Sequence, residues 1–324
     1  MSLAAVVLAA GEGKRLRSSR AKVLHEAAGR PLIDHVLGTV AGLAPEPMLV
    51  VVGHLREQVE HHLAGRGLSL VVQDPPRGTG DAVACALPSL PEHGEALVVS
   101  GDTPLLLPGS LRALVELRRE RRAALAVTTA VLPDAGAYGR VVRDSDDNVV
   151  AIVEARDATE AQRRIKEVNA GSYAFDLQVL RTLLAELRPD NAQGEYYLTD
   201  VVALAVARGL KAAGLQLEDV TEMAGVNTRA DLAHVHRLLN QRIIARLQNE
   251  GVTVLDPAST FVDATCTVGR DTVLEPGVHL RTSCHVGVGA RVGAHSVLEG
   301  GSVPAGGTVP PLTFRRESGS EGSG

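Results

Sequence analysis

Tryptophan is absent from the 324-residue chain, and its four Tyr and three Phe make up only 2% of it. With so few aromatic rings, base-stacking platforms are excluded as a main recognition device and any core must be aliphatic. Cysteine is scarce too. Cys85, Cys266 and Cys284 are an odd number without CxxC spacing. That pattern argues against a disulfide framework or a cysteine zinc site and fits a reducing cytoplasm. Only four of the 33 basic residues are lysines, and the net charge of −5 gives no reason to expect nucleic acid or an acidic membrane as partner. Long apolar runs are missing. The run Leu3 to Ala10 breaks at Gly11 with no charged segment before it, so neither a signal peptide nor a membrane span is expected.

What is present suits a soluble globular protein: 45% hydrophobic and 22% charged residues, over a length sufficient for about two domains. The segment around which the chain is organised is LAAVVLAAGEGKRLRSSRAKVLH, from Leu3 to His25. Its apolar start reads as a buried parallel strand. Gly11 and Gly13 then bracket Glu12, followed by Lys14, Arg15, Arg17, Arg20 and Lys22, and two of the four lysines lie here. Glycines allow close backbone approach and cations add charge, which predicts a phosphate-binding loop. The bland alternative is a strand followed by an exposed basic turn. A dinucleotide motif would need a third glycine where Leu16 stands. A Walker-type loop would need glycine at Leu8 and Ser or Thr at Arg15.

Beyond the loop, strand and helix signals alternate. The spacing predicts a helix over 31–40 with Pro31 in its first turn, a strand over 48–52, and a helix over 57–64 bearing His61 and His62. Adjacent histidines face different ways, so a solvated face is favoured over a metal site. A third strand, 68–72, ends at Gln73 and leads to Gly78-Thr79-Gly80 and a helix from Asp81, a polar turn able to read a nucleobase edge or an ordinary β–α turn. A fourth strand, 95–100, is followed by Gly101-Asp102-Thr103-Pro104. A carboxylate just past a buried strand lies where open α/β sheets bind ligands and suits Mg²⁺; a helix N-cap is the structural alternative for Asp102. Further elements are a helix over 110–122, a strand over 124–132, a hairpin over 139–154 ending at Glu154, a strand over 167–175 with Asn169, helices over 177–187 and 200–207, a strand over 216–220, and a long helix over 230–249. The alternation predicts a mainly parallel sheet with helices on both sides.

A different period begins at Val262. Aliphatic residues return every sixth position: Val262, Val268, Leu274, Leu280, Val286, Val292 and Leu298. Four places after each stand Cys266, Thr272, Val278, Cys284, Ala290, Ser296 and Ser302. A six-residue repeat is the mark of a β-helix, and 262–303 predicts two to three coils. The cysteines then become core residues. The boundaries expected are 1–229 for the first domain, 230–250 for a linker helix, 251–311 for the β-helix and 312–324 for a disordered polar tail.

LAAGEGKRLRSSRAKVLH, QDPPRGTGDAV, GDTPLL, AYGR, IVEARDA, NAGSYAF, QGEYYLTD and GVNTR occur in one order. Together, over residues 3 to about 303, they closely resemble the family of bifunctional N-acetylglucosamine-1-phosphate uridylyltransferase / glucosamine-1-phosphate acetyltransferase. The resemblance implies a Rossmann-like nucleotidyltransferase domain followed by a short left-handed β-helix. It implies Mg²⁺-dependent transfer of UMP from UTP to N-acetylglucosamine 1-phosphate for cell-wall precursor synthesis, in the cytoplasm, by a homotrimer. Leu8, Ala9, Ala10 and Gly11 would hold the uridine, and Arg15 and Lys22 the phosphates. Gln73, Gly78 and Thr79 would read the uracil. Asp102 and Asn227 would bind Mg²⁺, with Ser100 and Gly101 beside them, and Gly139, Glu154 and Asn169 would contact the sugar. Arg15, Lys22 and Asp102 are the catalytic candidates.

The chain departs from the family at Lys14 (usually Thr), Ala21 (usually Pro) and Ser100 (often Tyr). The family's acetyltransferase residues have no counterpart positions, so that activity is expected to be absent. A nucleotidyltransferase for another sugar, or a non-catalytic nucleotide-sugar scaffold, are the competing readings.

Overall fold

The computed structural model describes residues 2–316. In chain order it contains β1 (Leu3–Ala9), a short hairpin β2 (Glu26–Ala27) and β3 (Arg30–Pro31), α1 (Leu32–Ala41), β4 (Met48–Val52), α2 (Arg56–Leu63), β5 (Ser69–Val72), α3 (Thr79–Ala86), β6 (Glu95–Ser100), α4 (Pro108–Arg121), β7 (Leu125–Val131), β8 (Arg140–Arg143), β9 (Val149–Val153), α5 (Glu160–Arg163), β10 (Glu167–Asp176), α6 (Leu177–Leu184), α7 (Asp200–Ala207), β11 (Ala212–Gln216) and α8 (Arg229–Asn249). Two compact units result. The first holds residues 2–24 and Leu32–Thr228; the second holds His25–Pro31 and residues 229–316.

The first unit is built on one sheet, with order β11-β7-β10-β6-β1-β4-β5. β1 pairs in parallel with both β4 and β6, while β10 runs antiparallel between β6 and β7. The chain moves outward from β1 through β4 to β5 and then returns to β6 on the other side of β1. That reversal opens a crevice at the carboxyl ends of β1 and β6, where α/β sheets bind ligands. Alternation along β1 divides the core. Ala4 and Val6 join a cluster with α3, α6 and α7 residues, whereas Ala5, Val7 and Ala9 join one with α1, α2 and α4 residues. Both faces of β1 are covered, which is why its sequence is a continuous apolar run.

The strand expected over 216–220 lies earlier, as β11, and Val220–Met223 forms a 3₁₀ turn. The run Ala212-Ala213-Gly214 hid it, because small residues carry little strand signal. A Cβ at Gly214 would lie 2.6 Å from the end of the Arg143 side chain and 2.9 Å from Val149 Cγ2, so a larger residue there would force those side chains to shift. Pro31 sits in β3 opposite Glu26 and not in a helix's first turn. His62 is no purely solvated residue: its Nε2 lies 3.0 Å from Asp34 Oδ1, and Arg66 also donates to that carboxylate.

In the second unit α8 packs with the hairpin β2–β3 and the coil. Asn240, buried on α8, donates to Thr260 O at 2.8 Å and accepts from Val262 N at 3.0 Å. The helix expected as a linker lies in the same compact unit as the coils. The coils' short strands stack in three parallel sheets of four, four and three, running from Thr253–Val254 to Phe314–Arg316. Over 262–303 that is the two to three coils expected, and the strands Thr253–Val254, Thr308–Val309 and Phe314–Arg316 outside it bring the total to between three and four. The extra coil escaped because the step from Val254 to Val262 is eight residues and that from Leu298 to Val303 is five. The shortened step turns Val303 inward and leaves Ser302 exposed, against the repeat's register. Phe314–Arg316 pairs with Val297–Glu299, so ordered structure enters the stretch assigned to the tail; the rest of that tail, 317–324, lies outside the described residues.

Candidate active site

A cavity of about 410 Å³ opens at the carboxyl ends of β1 and β6. It is lined by Leu8, Ala9, Ala10, Gly11, Lys22, Gln73, Gly78, Thr79, Ser100 and Asp102, all of them expected from the sequence, and also by Glu12, Lys14, Val23, Pro76, Ala82 and Glu195. Four segments separated by tens of residues thus converge on one crevice.

Close approach of backbones fixes its floor. Gly101 N donates to Leu8 O at 2.8 Å, and a Cβ at Gly101 would lie 3.0 Å from that oxygen. Gly13 has φ +61°, and a Cβ on it would come within 2.9 Å of Lys22 Cβ. Glycine at 13 thus lets the loop fold back over Lys22.

Lys22 is the centre of the charge arrangement. Its Nζ donates to Asn227 Oδ1 at 2.8 Å and pairs with Asp102 Oδ2, and the Lys22 and Asp102 side chains are largely buried from solvent. Ser100 Oγ donates to the other carboxylate oxygen, Oδ1, at 2.7 Å. Asp102 caps no helix, since α4 starts at Pro108 behind Leu107; the structural alternative for this residue is removed. Asp102 and Asn227 present hard oxygen donors to one cation, the Lys22 ammonium. A carboxylate plus an amide oxygen is also a donor set suited to Mg²⁺.

At the other end, Gln73 is buried and its Nε2 donates to Gly78 O at 3.0 Å and Asp81 Oδ2 at 2.7 Å. Both amide protons have acceptors within the protein, which leaves the carbonyl oxygen as the group to offer a ligand. Gly78 has φ +114°, and a Cβ would collide with Tyr196 O at 2.5 Å. Thr79 Oγ1 accepts from Leu198 N at 3.0 Å, so part of its role is to hold the 190s loop.

Three expected residues form a separate group. Asn169 N donates to Gly139 O at 2.9 Å, Asn169 Nδ2 donates to the Tyr173 hydroxyl at 2.7 Å, and Glu154 accepts from Thr199 Oγ1 at 3.2 Å. A Cβ at Gly139 would lie 3.4 Å from Glu154 Oε1. Burial, reinforced by Asp200 and Asp157, pushes the Glu154 carboxyl up from its ordinary value. None of the three lines the 410 Å³ cavity, but the loop from Glu195 to Thr199 reaches from that cavity to Glu154. Arg15 is not brought in: it is exposed on the turn Lys14–Leu16 and outside the lining. Glu195 was missed as a site residue although the motif containing it was visible. Lys14 lies on the cavity wall, paired with Glu12 and 82% exposed.

The sheet order, the glycine loop after β1 and the carboxylate after β6 define a nucleotidyltransferase-type domain. Residues 5–165 match the family described as the MobA-like NTP transferase domain. Over 296 residues, 89% of the chain, it is 44% identical to the bifunctional protein GlmU of Cutibacterium acnes and covers 71% of that protein. It is 47% identical over 285 residues to that of Mycobacterium avium and 45% over 292 to that of Mycobacterium tuberculosis, covering 86% and 88% of this chain. The chain belongs to the GlmU family. It spans only 58% and 59% of the two mycobacterial proteins. A solved structure of a Bacillus anthracis protein assigned as a glucose-1-phosphate thymidylyltransferase, with sucrose bound, superposes with a TM-score of 0.59 at 20% identity. It covers 73% of this chain and 95% of its own, a likeness of fold alone.

Proposed function

We propose that this protein transfers UMP from UTP to N-acetylglucosamine 1-phosphate, giving UDP-N-acetylglucosamine and pyrophosphate for cell-wall precursor synthesis. The observation that carries this reading is the meeting of Asp102 and Asn227 on the Lys22 ammonium, with Lys22 and Asp102 lining a cavity that Gln73, Gly78 and Thr79 also line. The Gln73 carbonyl would accept from uracil N3–H, and the backbone from Leu8 to Gly11 would lie along the nucleoside. Gly139, Glu154 and Asn169 would receive the sugar hydroxyls and amide.

A phosphate oxygen of the sugar 1-phosphate attacks the α-phosphorus of UTP, a new P–O bond forms, and the bond to the β-phosphate oxygen breaks with its electron pair leaving on pyrophosphate. Such a transfer requires positioning and neutralisation of charge more than a protein nucleophile. Lys22 places positive charge where phosphoryl oxygens gain negative charge. Asp102 and Asn227 would hold Mg²⁺, which supplies further charge to those oxygens. Ser100 keeps one Asp102 oxygen hydrogen-bonded and its orientation set. The setting we infer is cytoplasmic, with the solenoid as a trimer contact and neither nucleic acid nor membrane as partner. No helix among the described residues is long and apolar enough to cross a membrane.

The test is pyrophosphate release from UTP with a panel of sugar 1-phosphates and Mg²⁺. N-acetylglucosamine 1-phosphate should be preferred, and Asp102→Ala should be inactive. Preference for another sugar phosphate overturns the specificity; UTP binding without turnover identifies a scaffold instead.

A further inference from the structure

The loop that carries Lys22 is not held by bonds within its own segment alone. Arg17 sits in the left-handed region at φ +49°, and Arg20 N bonds only two residues back, to Ser18 Oγ at 3.1 Å. Ala21, the residue before Lys22, is 3% exposed, so its N–H needs a partner inside the protein. That partner is a side chain. Gln58 Oε1 accepts from Ala21 N at 2.8 Å, and Gln58 Nε2 donates to Ser19 O at 2.8 Å. One amide thus grips the loop backbone on both sides of Arg20, replacing the two bonds a neighbouring strand would make.

The sequence position of Gln58 supports this use. It is the third residue of α2, whose N-cap position is Leu55 at φ +54°, and that helix start has no side-chain cap. A glutamine at this position can turn back to the N-cap N–H as half of a capping box. Here it reaches out to a loop 37 and 39 residues away. α2 itself is anchored by Val59 and Leu63, both buried in the cluster that also contains Ala21 and Val23. The clamp therefore rests on a fixed element.

We propose that Gln58 is a positioning residue for the transfer reaction, acting through the Ser19–Ala21 backbone to hold Lys22 against Asp102 and Asn227; this rests on the uridylyltransfer reading. Lys22 begins a 3₁₀ turn in which Leu24 N donates to Ala21 O at 3.0 Å, so displacement of Ala21 moves the start of that turn. An ammonium displaced by about 1 Å loses much of its effect on a developing charge.

The test uses Gln58→Met, which keeps the length and loses both bonds. kcat is measured per UTP-binding site, counted by calorimetry, so an unfolded fraction does not enter. Hydrogen exchange is followed in peptides covering 18–24 and 56–63. The expected result is about a tenfold fall in kcat per site, a smaller change in UTP affinity, and faster exchange in 18–24 with 56–63 unchanged. kcat per site within twofold of the parent overturns the proposal, as does a fall in kcat with no change in loop exchange. If the parent protein binds UTP but releases no pyrophosphate with any sugar phosphate, the functional reading fails instead.

Discussion

Lys22 Nζ donates to Asn227 Oδ1 at 2.8 Å, joining residues 205 positions apart. The same ammonium pairs with Asp102. This triangle ties the cationic loop after β1 to the carboxylate after β6 and is the part of the proposed reaction most open to test.

Lys22→Ala should lower kcat by about 10²–10³-fold, the loss typical of removing one preorganised stabiliser of transition-state charge. Gly11→Ala should cost less than about tenfold, because a Cβ at Gly11 meets no heavy atom within 4 Å. Steady-state kinetics of both variants separate the two. Retained activity in the first and abolished activity in the second would mean that the glycine backbone, and not the lysine, dominates.

Gly13→Ala places a side chain at φ +61° and within 2.9 Å of Lys22 Cβ. The strained backbone alone costs about 1–2 kcal/mol. A lower thermal midpoint together with reduced kcat is expected; unchanged values in both would show that the loop relaxes freely.

Glu95 is fully buried, between Arg118 and Arg119. Burial pushes its carboxyl up, but hydrogen bonds from Arg119 and Arg118 and their charges outweigh this and hold it below its ordinary value. Between the lowered folded value and the ordinary unfolded one, the unfolded chain binds more protons. Stability from this group is therefore complete above the ordinary carboxylate range and is lost as pH falls through the folded value. Glu95→Gln should destabilise by about 3–5 kcal/mol near neutral pH by stranding buried arginine. Its thermal midpoint should also fall less steeply with acid than the parent's, as denaturation series from pH 7 down to pH 3 would show.

Cys266 and Cys284 are buried in the solenoid without a disulfide between them, and burial pushes the Cys266 thiol up to about 12. Thiolate is the reactive form. A thiol reagent at pH 8 should label neither in the native protein and all three cysteines after denaturation. Rapid native labelling of Cys266 would contradict a packed coil.

Much of the site was legible because the chemistry lies at strand ends. Gly11 after β1, Gln73 after β5 and Asp102 after β6 each follow an apolar run whose length marks the boundary. The six-residue period was equally plain from Val262 to Leu298. What could not be read was whatever depends on a partner distant in sequence. The Gln58 clamp leaves no local pattern, and Asn240 looks like any polar helix residue until Thr260 and Val262 meet it. β11 was misplaced because Ala212 to Gly214 carry little strand signal, and a Cβ at Gly214 would meet Arg143 and Val149, a constraint set by tertiary contact. Arg15 shows the converse: a motif position alone did not place its side chain in the cavity.

The central claim is tested most directly by ³¹P NMR of the protein with UTP, N-acetylglucosamine 1-phosphate and Mg²⁺. Equal amounts of UDP-N-acetylglucosamine and pyrophosphate should appear together, and neither should form with Asp102→Ala. Consumption of UTP without a sugar nucleotide, or full activity in that variant, would contradict the account.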